Sequence, residues 1–130
     1  MNILVIAPHP DDESIGCGGT ICLHTMRGDQ VAAVFLTSGE FDLSDLTREK
    51  AWAIREGEAE ESARILGIAN VTFLRRSDHC LGDEIEEASV ELRPLLERQQ
   101  PQLIYLPHAH DGHPDHRACQ PIVQAALSAA

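Results

Sequence analysis

The hydrophobic positions of the chain fall into short apolar runs that alternate with longer segments of helical periodicity. Four runs, residues 2–7, 30–37, 71–74 and 102–106, are almost wholly apolar, which is typical of strands buried on both faces of a parallel sheet. Apolar residues recur every three or four positions in residues 14–27, 48–66, 84–99 and 115–129, and this spacing predicts four helices. Pro94 lies inside the third of these helices, so we expect that helix to be kinked or split.

The order of these elements predicts the fold class. A regular alternation of strands and helices implies parallel strands joined by right-handed crossovers, so we predict an α/β, Rossmann-like three-layer fold with a mainly parallel sheet. If strands two and three build outward from strand one, and strand four crosses to its other side, the strand order is 3-2-1-4. With 130 residues, the chain is predicted to be a single domain spanning residues 1–130.

Two polar segments interrupt this pattern, and each follows the end of a predicted strand. Residues 8–13 read PHPDDE after strand one, and residues 108–116 read HAHDGHPDH after strand four. In open α/β sheets, ligands bind outside the carboxyl ends of the strands at the point where the strand order reverses. In the predicted order this point lies between strands one and four, so we expect both segments to meet in one crevice.

Histidines and aspartates in such a crevice favour a metal site. His9 and Asp12 are close enough in sequence to reach one ion, and a histidine of the second segment would complete the three protein ligands of a catalytic Zn²⁺ site. Asp11 and His113 would then remain as a base and an acid for hydrolysis by an activated water. Two alternatives stay open. The aspartates, Asp115 included, could merely cap helices, or two histidines and one carboxylate could hold Fe²⁺ for oxygenase chemistry.

Composition narrows the function classes further. The formal net charge of -11 argues against a nucleic-acid partner, because such a chain would repel phosphates. No apolar run is long enough for a membrane span, and the N-terminal residues lack the features of a signal peptide. The cysteines form no C-x-x-C pair and are predicted to be buried small hydrophobes of a reduced, cytoplasmic protein. The glutamate runs, including Glu56, are predicted to lie on solvated helix faces.

Several motifs match a known family. Residues 7–13 read APHPDDE, residues 113–116 read HPDH, and residues 37–40 read TSGE after strand two. The second helix carries a matching set consisting of Arg55, Glu58, Ala63, Leu66 and Gly67, and Asp78 follows strand three. Together these motifs resemble those of the PIG-L/LmbE-like de-N-acetylases, which are metal-dependent amidases that act on N-acetylglucosamine conjugates. The resemblance runs the length of the chain, and the two histidine motifs are its most specific parts.

The resemblance implies a metal centre and its catalytic groups. It implies that His9, Asp12 and His116 hold one Zn²⁺ ion per chain, or another divalent metal such as Fe²⁺. Asp11 is implied to be the general base. His113 is implied to be the general acid and to help stabilise the oxyanion.

The resemblance also implies how the substrate is held and what is done to it. Asp115 is expected to orient a neighbouring histidine, and Arg55 and Asp78 match positions that contact the sugar. The implied reaction removes the N-acetyl group from an N-acetylglucosamine-containing conjugate, a small molecule. Two rivals stay open: a metal- or sugar-binding module without catalysis, and a zinc amidase for another acyl amide. Family members continue beyond the second histidine motif, so we expect residues 1–130 to be the N-terminal portion of the family fold, truncated at the C-terminus. A homo-oligomer is a further expectation.

Overall fold

The computed structural model describes residues 1–128, which form a four-stranded sheet between two layers of helices. The strands are β1 (Asn2–Ala7), β2 (Gln30–Thr37), β3 (Asn70–Arg76) and β4 (Leu103–Tyr105). The helices are α1 (Asp12–Met26), α2 (Arg48–Leu66), α3 (Ile85–Gln99) and α4 (Pro114–Ser128). Two short 3-10 turns, Glu40–Leu43 and Leu81–Asp83, follow β2 and β3. None of the helices within residues 1–128 is long and apolar enough to cross a membrane.

The strands of the sheet pair in parallel, and their order is β3-β2-β1-β4. β1 is central, because Val5 pairs with Ala33 of β2 on one side and with Tyr105 of β4 on the other. The strand order therefore reverses between β1 and β4, and the segments that follow these two strands lie side by side. The predicted α/β fold class and the predicted order 3-2-1-4 are confirmed.

Alternate residues of the central strands point to opposite faces of the sheet and form two separate cores. Leu4 and Ile6 of β1 pack in the core beneath α3 and α4, whereas Ile3 and Val5 pack in the core beneath α1 and α2. Because both faces are covered, β1 and β2 read as continuous apolar runs instead of alternating ones. This burial explains why the apolar runs located the strands.

Some element boundaries differ from the predicted ones. β3 extends beyond the predicted residues 71–74, β4 is shorter than residues 102–106, and α1 begins at Asp12 rather than at residue 14. Of the two expectations for the third helix, a split is wrong, since α3 continues through Pro94, and a kink stays a prediction. Pro94 and Val90, whose carbonyl loses its helical partner, are both exposed, so water can replace the missing N–H. The last residue of the predicted helix 115–129 lies outside the described residues.

Two expectations about single residues are wrong. Glu56 does not lie on a solvated helix face but is only 9% exposed, because Ser38 and Arg75 donate hydrogen bonds to its carboxylate. The cysteines are not uniformly buried: Cys119 is buried, whereas Cys80 is exposed. The remaining two, Cys17 and Cys22, are half-buried.

Candidate metal centre

The loop after β1 carries His9 and turns at once into α1. Thr37 of β2 donates hydrogen bonds from its N and Oγ1 atoms to Pro8 O, at 3.0 and 2.8 Å, and holds the start of the loop against the sheet. Asp12 N donates to His9 O at 3.2 Å, and the Asp12 carboxylate accepts from His9 N at 2.9 Å. This tight turn brings the side chains of His9 and Asp12 together at the carboxyl edge of the sheet.

The start of α4 brings His116 to the same point. Asp12 Oδ2 lies 3.0 Å from His9 Nδ1 and 3.3 Å from His116 Nε2. One ligand atom from each of these three half-buried residues lies within 4.8 Å of the other two. Asp111 Oδ2 lies 3.4 Å from His116 Nδ1, where it favours a proton on that nitrogen and leaves Nε2 free to bind a metal.

Asp115 is fully buried and holds His9 from the other side. Its Oδ2 accepts hydrogen bonds from His9 Nε2 and from His79 N, both at 2.8 Å, and its Oδ1 accepts from Leu81 N at 3.1 Å. Burial by itself would raise the pKa of Asp115, but the hydrogen bonds from His9 and the backbone lower it, so the group is a carboxylate. A second set of ligand atoms within 4.8 Å of one another comes from His9, His113 and Asp115.

The charges around His9 favour a cation. Burial by itself would lower the pKa of His9, but hydrogen bonds to two aspartates and the nearby carboxylate of a third outweigh this effect and raise the pKa to about 11. These aspartates are Asp115, Asp12 and Asp78. The same carboxylates attract a divalent metal, and two imidazoles with one carboxylate form a ligand set suited to Zn²⁺ or Fe²⁺. The set of His9, Asp12 and His116 therefore fits a metal ion.

Asp11 stands beside this set with a carboxylate that is 53% exposed. Its φ of 103° lies in the left-handed region, which is unusual for a residue with a side chain. The strained turn is held because Asp11 N donates to Glu13 Oε1 at 2.9 Å and Asp11 O accepts from Ile15 N at 2.9 Å. Burial, and then the charge of Asp12, raise the pKa of the Asp11 carboxyl. A carboxylate that is accessible and has a raised pKa can accept a proton from a substrate or from water.

His113 faces the three ligands from the loop before α4. Its ring centroid lies 4.9 Å from that of His9 and 5.1 Å from that of His116. Asp115 N donates to His113 Nδ1 at 3.0 Å, so the proton of the neutral ring resides on Nε2. Burial, and then the positive charge of His9, lower the pKa of His113. The ring is therefore a neutral hydrogen-bond donor at pH 7.

Comparisons with known proteins agree with this geometry. Residues 4–127 match the model of the GlcNAc-PI de-N-acetylase family, PIG-L. The chain belongs to this family. It is 34% identical to the probable N-acetyl-alpha-D-glucosaminyl L-malate deacetylase 2 of Bacillus anthracis, over 98% of this chain and 59% of that protein. It is 33% identical to the diacetylchitobiose deacetylase of Thermococcus kodakarensis, over 88% of this chain and 45% of that protein.

Solved structures resemble this PIG-L-family chain as well. The conserved protein TT1542 from Thermus thermophilus matches it with a TM-score of 0.84 and 37% identity, over 98% of this chain and 56% of that protein. The N,N'-diacetylchitobiose deacetylase from Pyrococcus horikoshii matches with a TM-score of 0.83 and 35% identity, over 97% of this chain and 49% of that protein. The chain thus spans about half the length of these relatives. The predicted family is confirmed.

The structure places the two predicted sugar-contacting residues of this PIG-L-family chain differently. Arg55 borders the metal centre and donates from Nη2 to Pro10 O at 2.7 Å. Asp78 is only 3% exposed, with Oδ2 accepting from Phe41 N at 2.9 Å and Oδ1 lying 3.2 Å from His9 Nε2. Most of the Asp78 carboxylate thus already faces protein groups. The substrate-binding roles of Arg55 and Asp78 both stay predictions.

Sequence reasoning missed two residues of the site and left others without a role. Glu13 is buried beneath the loop after β1, and His79 lies beside the metal centre at the end of β3. His79 directly follows Asp78, so treating the whole loop after strand three as a polar segment at the same edge of the sheet would have found it. Asp111, which had no assigned role, faces His116. His108 and His110, also without a role, belong to neither ligand set among the described residues.

Proposed function

We propose that this chain is a metal-dependent hydrolase that removes the acetyl group from an N-acetylglucosamine-containing conjugate. The observation that carries the proposal is the convergence of His9, Asp12 and His116 within 4.8 Å, with Asp11 and His113 beside them. The deacetylase names of its relatives in Bacillus anthracis and Thermococcus kodakarensis support the reaction class. The chain spans about half the length of these proteins.

His9, Asp12 and His116 would hold the ion, for which Zn²⁺ is our first choice and Fe²⁺ the second. Such an ion supplies two chemical effects: it polarises a carbonyl oxygen, and it lowers the pKa of water from about 15.7 towards ~7. Asp115 would keep the His9 ring in one orientation through its 2.8 Å hydrogen bond to Nε2. Asp111 would do the same for His116.

Asp11 and His113 would assist the reaction from outside the ligand set. Asp11 is outside the ligand set and half-exposed, so its carboxylate can take the proton of the attacking water. His113 would donate a hydrogen bond from Nε2 to the amide oxygen as negative charge develops there. The proton that Asp11 takes from the water would then pass to the departing amine, because the neutral His113 ring has no second proton to give. Assistance of this kind contributes ~10²–10⁴ in rate for each acid or base.

The substrate proposed is a small amino-sugar conjugate whose acetamido group enters the crevice between the loops after β1 and β4. Arg55 is placed at the border of this crevice and would contact the polar groups of the conjugate. The earlier expectations of a cytoplasmic location and of a homo-oligomer remain predictions.

Metal analysis and acetate release test the proposal together. The purified chain is expected to bind one equivalent of Zn²⁺ and to release acetate from at least one member of a panel of N-acetylglucosaminyl conjugates. The Asp11→Asn variant should keep the metal and lose nearly all turnover, and asparagine tolerates the left-handed backbone of this position. Asp45→Asn, on an exposed residue, is the matched control and should behave like the parent.

Each other outcome has a definite meaning. Failure to bind any divalent metal after mild purification would overturn the metal centre. Metal binding without acetate release from any amide would favour the binding module, and release only from other acyl amides would favour a different substrate. An Asp11→Asn variant that turns over at the parent rate would remove Asp11 as the base.

A further inference from the structure

One exposed aromatic side chain beside the metal centre has no role in the fold or in the proposed chemistry. Phe41 follows β2 and is 58% exposed. The other aromatics are accounted for. Phe35 and Phe73 stack on each other in the core with centroids 5.3 Å apart, and Trp52 is covered by Arg75 at 4.7 Å. The Tyr105 hydroxyl is hydrogen-bonded to His24 Nε2 at 2.8 Å. An exposed phenyl ring beside a cluster of histidines and carboxylates is a candidate contact for a ligand that reaches the cluster.

Phe41 forms a continuous aromatic surface with His79. Their ring centroids are 4.8 Å apart at an interplanar angle of 67°, which is an edge-to-face arrangement. The His79 ring in turn lies 5.1 Å from the ring of His113, the proposed hydrogen-bond donor to the amide oxygen. The surface therefore begins at the catalytic groups and runs outward to Phe41.

Hydrogen bonds hold the two aromatic residues in place. Phe41 N donates to Asp78 Oδ2 at 2.9 Å, and Asp78 N donates to Glu40 Oε2 at 3.2 Å, so the loops after β2 and β3 are tied to each other in both directions. His79 N donates to Asp115 Oδ2 at 2.8 Å. These carboxylates fix the backbone on which both rings stand, and a fixed surface loses little entropy when a ligand binds.

We propose that Phe41 and His79 form a platform for the pyranose ring that carries the acetamido group. This inference rests on the proposed function, because it assigns the residues that would hold the sugar of that substrate. One face of a pyranose ring exposes C–H groups, which pack on the negative face of an aromatic ring, while its hydroxyls remain free for polar partners. With the acetamido group between the metal ligands and His113, the sugar ring attached to it falls over the adjacent His79 and Phe41.

Binding of free N-acetylglucosamine tests the platform without relying on turnover. The titrations use the full chain loaded with Zn²⁺ and carrying Asp11→Asn to prevent hydrolysis, and the Kd is measured by calorimetry. Phe41→Ala is expected to weaken binding about tenfold, equivalent to ~1.4 kcal/mol. Phe41→Tyr should keep the Kd within about twofold, because the aromatic ring is retained.

Two further variants separate the platform from general effects. His79→Asn removes the second ring with a residue that accepts the left-handed φ of 67°, and should also weaken binding. Leu23→Ala removes a 66% exposed apolar side chain from α1 and should leave the Kd unchanged. Circular dichroism and metal content of each variant establish that fold and metal are intact.

The outcomes distinguish this inference from the proposed function. The platform is overturned if Phe41→Ala binds N-acetylglucosamine as tightly as its Asp11→Asn parent. It is also overturned if that parent does not bind the sugar. Both results would reject the platform even when the native chain releases acetate from conjugates. The converse result is sugar binding that depends on the Phe41 ring while the native chain releases no acetate. That result would support the platform and reject the hydrolase function.

Discussion

Replacing the fully buried Asp115 by asparagine is expected to destabilise the fold strongly, although it changes only one oxygen into an amide group. The two carboxylate oxygens of Asp115 accept three hydrogen bonds, from the His9 ring and from the backbone N–H groups of His79 and Leu81. An asparagine keeps one acceptor oxygen and turns an NH₂ donor towards at least one of these donors. The variant therefore loses an acceptor and the negative charge at the same buried point.

The magnitude follows from these three bonds. A hydrogen bond to a charged group contributes ~1.5–3 kcal/mol, and a buried donor left without an acceptor costs ~1–3 kcal/mol. Loss of one acceptor and weakening of the other contacts gives an expected destabilisation of ~3–5 kcal/mol, in the range for breaking a buried ion pair. Because whole domains are stable by ~5–15 kcal/mol, this is a large fraction of the total.

Urea unfolding of the metal-free chain measures this loss directly. With a urea slope of ~1–3 kcal/mol per molar, the midpoint of Asp115→Asn should fall by about 1–5 M. Asp83→Asn, an exposed aspartate in the 3-10 turn that Asp115 anchors, should stay within ~0.5 kcal/mol of the parent. If Asp115→Asn costs no more than this control, the buried hydrogen bonds do not stabilise the fold to the extent expected.

Three further substitutions test other parts of the structure. The hydrogen bonds from Arg75 hold the pKa of Glu56 below its ordinary value of 4.5, so the carboxylate stabilises the fold at neutral pH and loses this contribution as the pH falls through the lowered pKa. Glu56→Gln should cost ~1–2 kcal/mol at pH 7 in urea unfolding, and its difference from the parent should shrink below pH 4.5. Gly67→Ala, at a φ of +82°, should cost ~2 kcal/mol, and Leu92→Ala, in the core beneath α3, should cost ~2–5 kcal/mol.

Each of these expectations has a matched comparison. A Cβ at Gly67 would lie 3.1 Å from Thr25, whereas a Cβ at Gly82 meets no atom of the described residues within 4 Å, so Gly82→Ala should be nearly neutral. Equal costs at the two glycines would contradict the steric argument. If the difference in unfolding free energy between Glu56→Gln and the parent stays constant from pH 7 to pH 3, the argument from the Glu56 charge is contradicted. A Leu92→Ala cost below ~1 kcal/mol would mean that the core collapses around the missing atoms.

The sequence could predict that the candidate metal ligands come together because the fold places them by a general rule. His9 and His116 are far apart in the chain, but both follow strands that pair directly, and the carboxyl ends of parallel strands share one edge of the sheet. The apolar runs of β1 and β4 predicted those strands without any knowledge of the site. Residues whose neighbours are set by strand order were therefore within reach of sequence reasoning.

Residues whose neighbours are set by loop conformation were not within reach. Glu56 lies in an acidic stretch typical of a solvated helix face, and only the path of Arg75, with its left-handed φ of 56°, brings a guanidinium over it. The contact of Phe41 with His79 likewise depends on two loops held by carboxylates. Neither arrangement leaves a periodic pattern in the sequence.

The strand β4 is short, and its length affects how readily the chain aggregates at high concentration. Among the described residues, β4 forms one edge of the sheet, and its backbone offers only residues 103–105 for pairing. Pro101 and Pro107 flank it, and neither can donate a backbone hydrogen bond to a neighbouring strand. A short edge strand offers few backbone groups to a strand of another molecule, and it therefore limits edge-to-edge aggregation. Any redesign for concentrated solution should therefore leave both prolines in place, because Pro107→Val would lengthen the edge that another molecule could pair with.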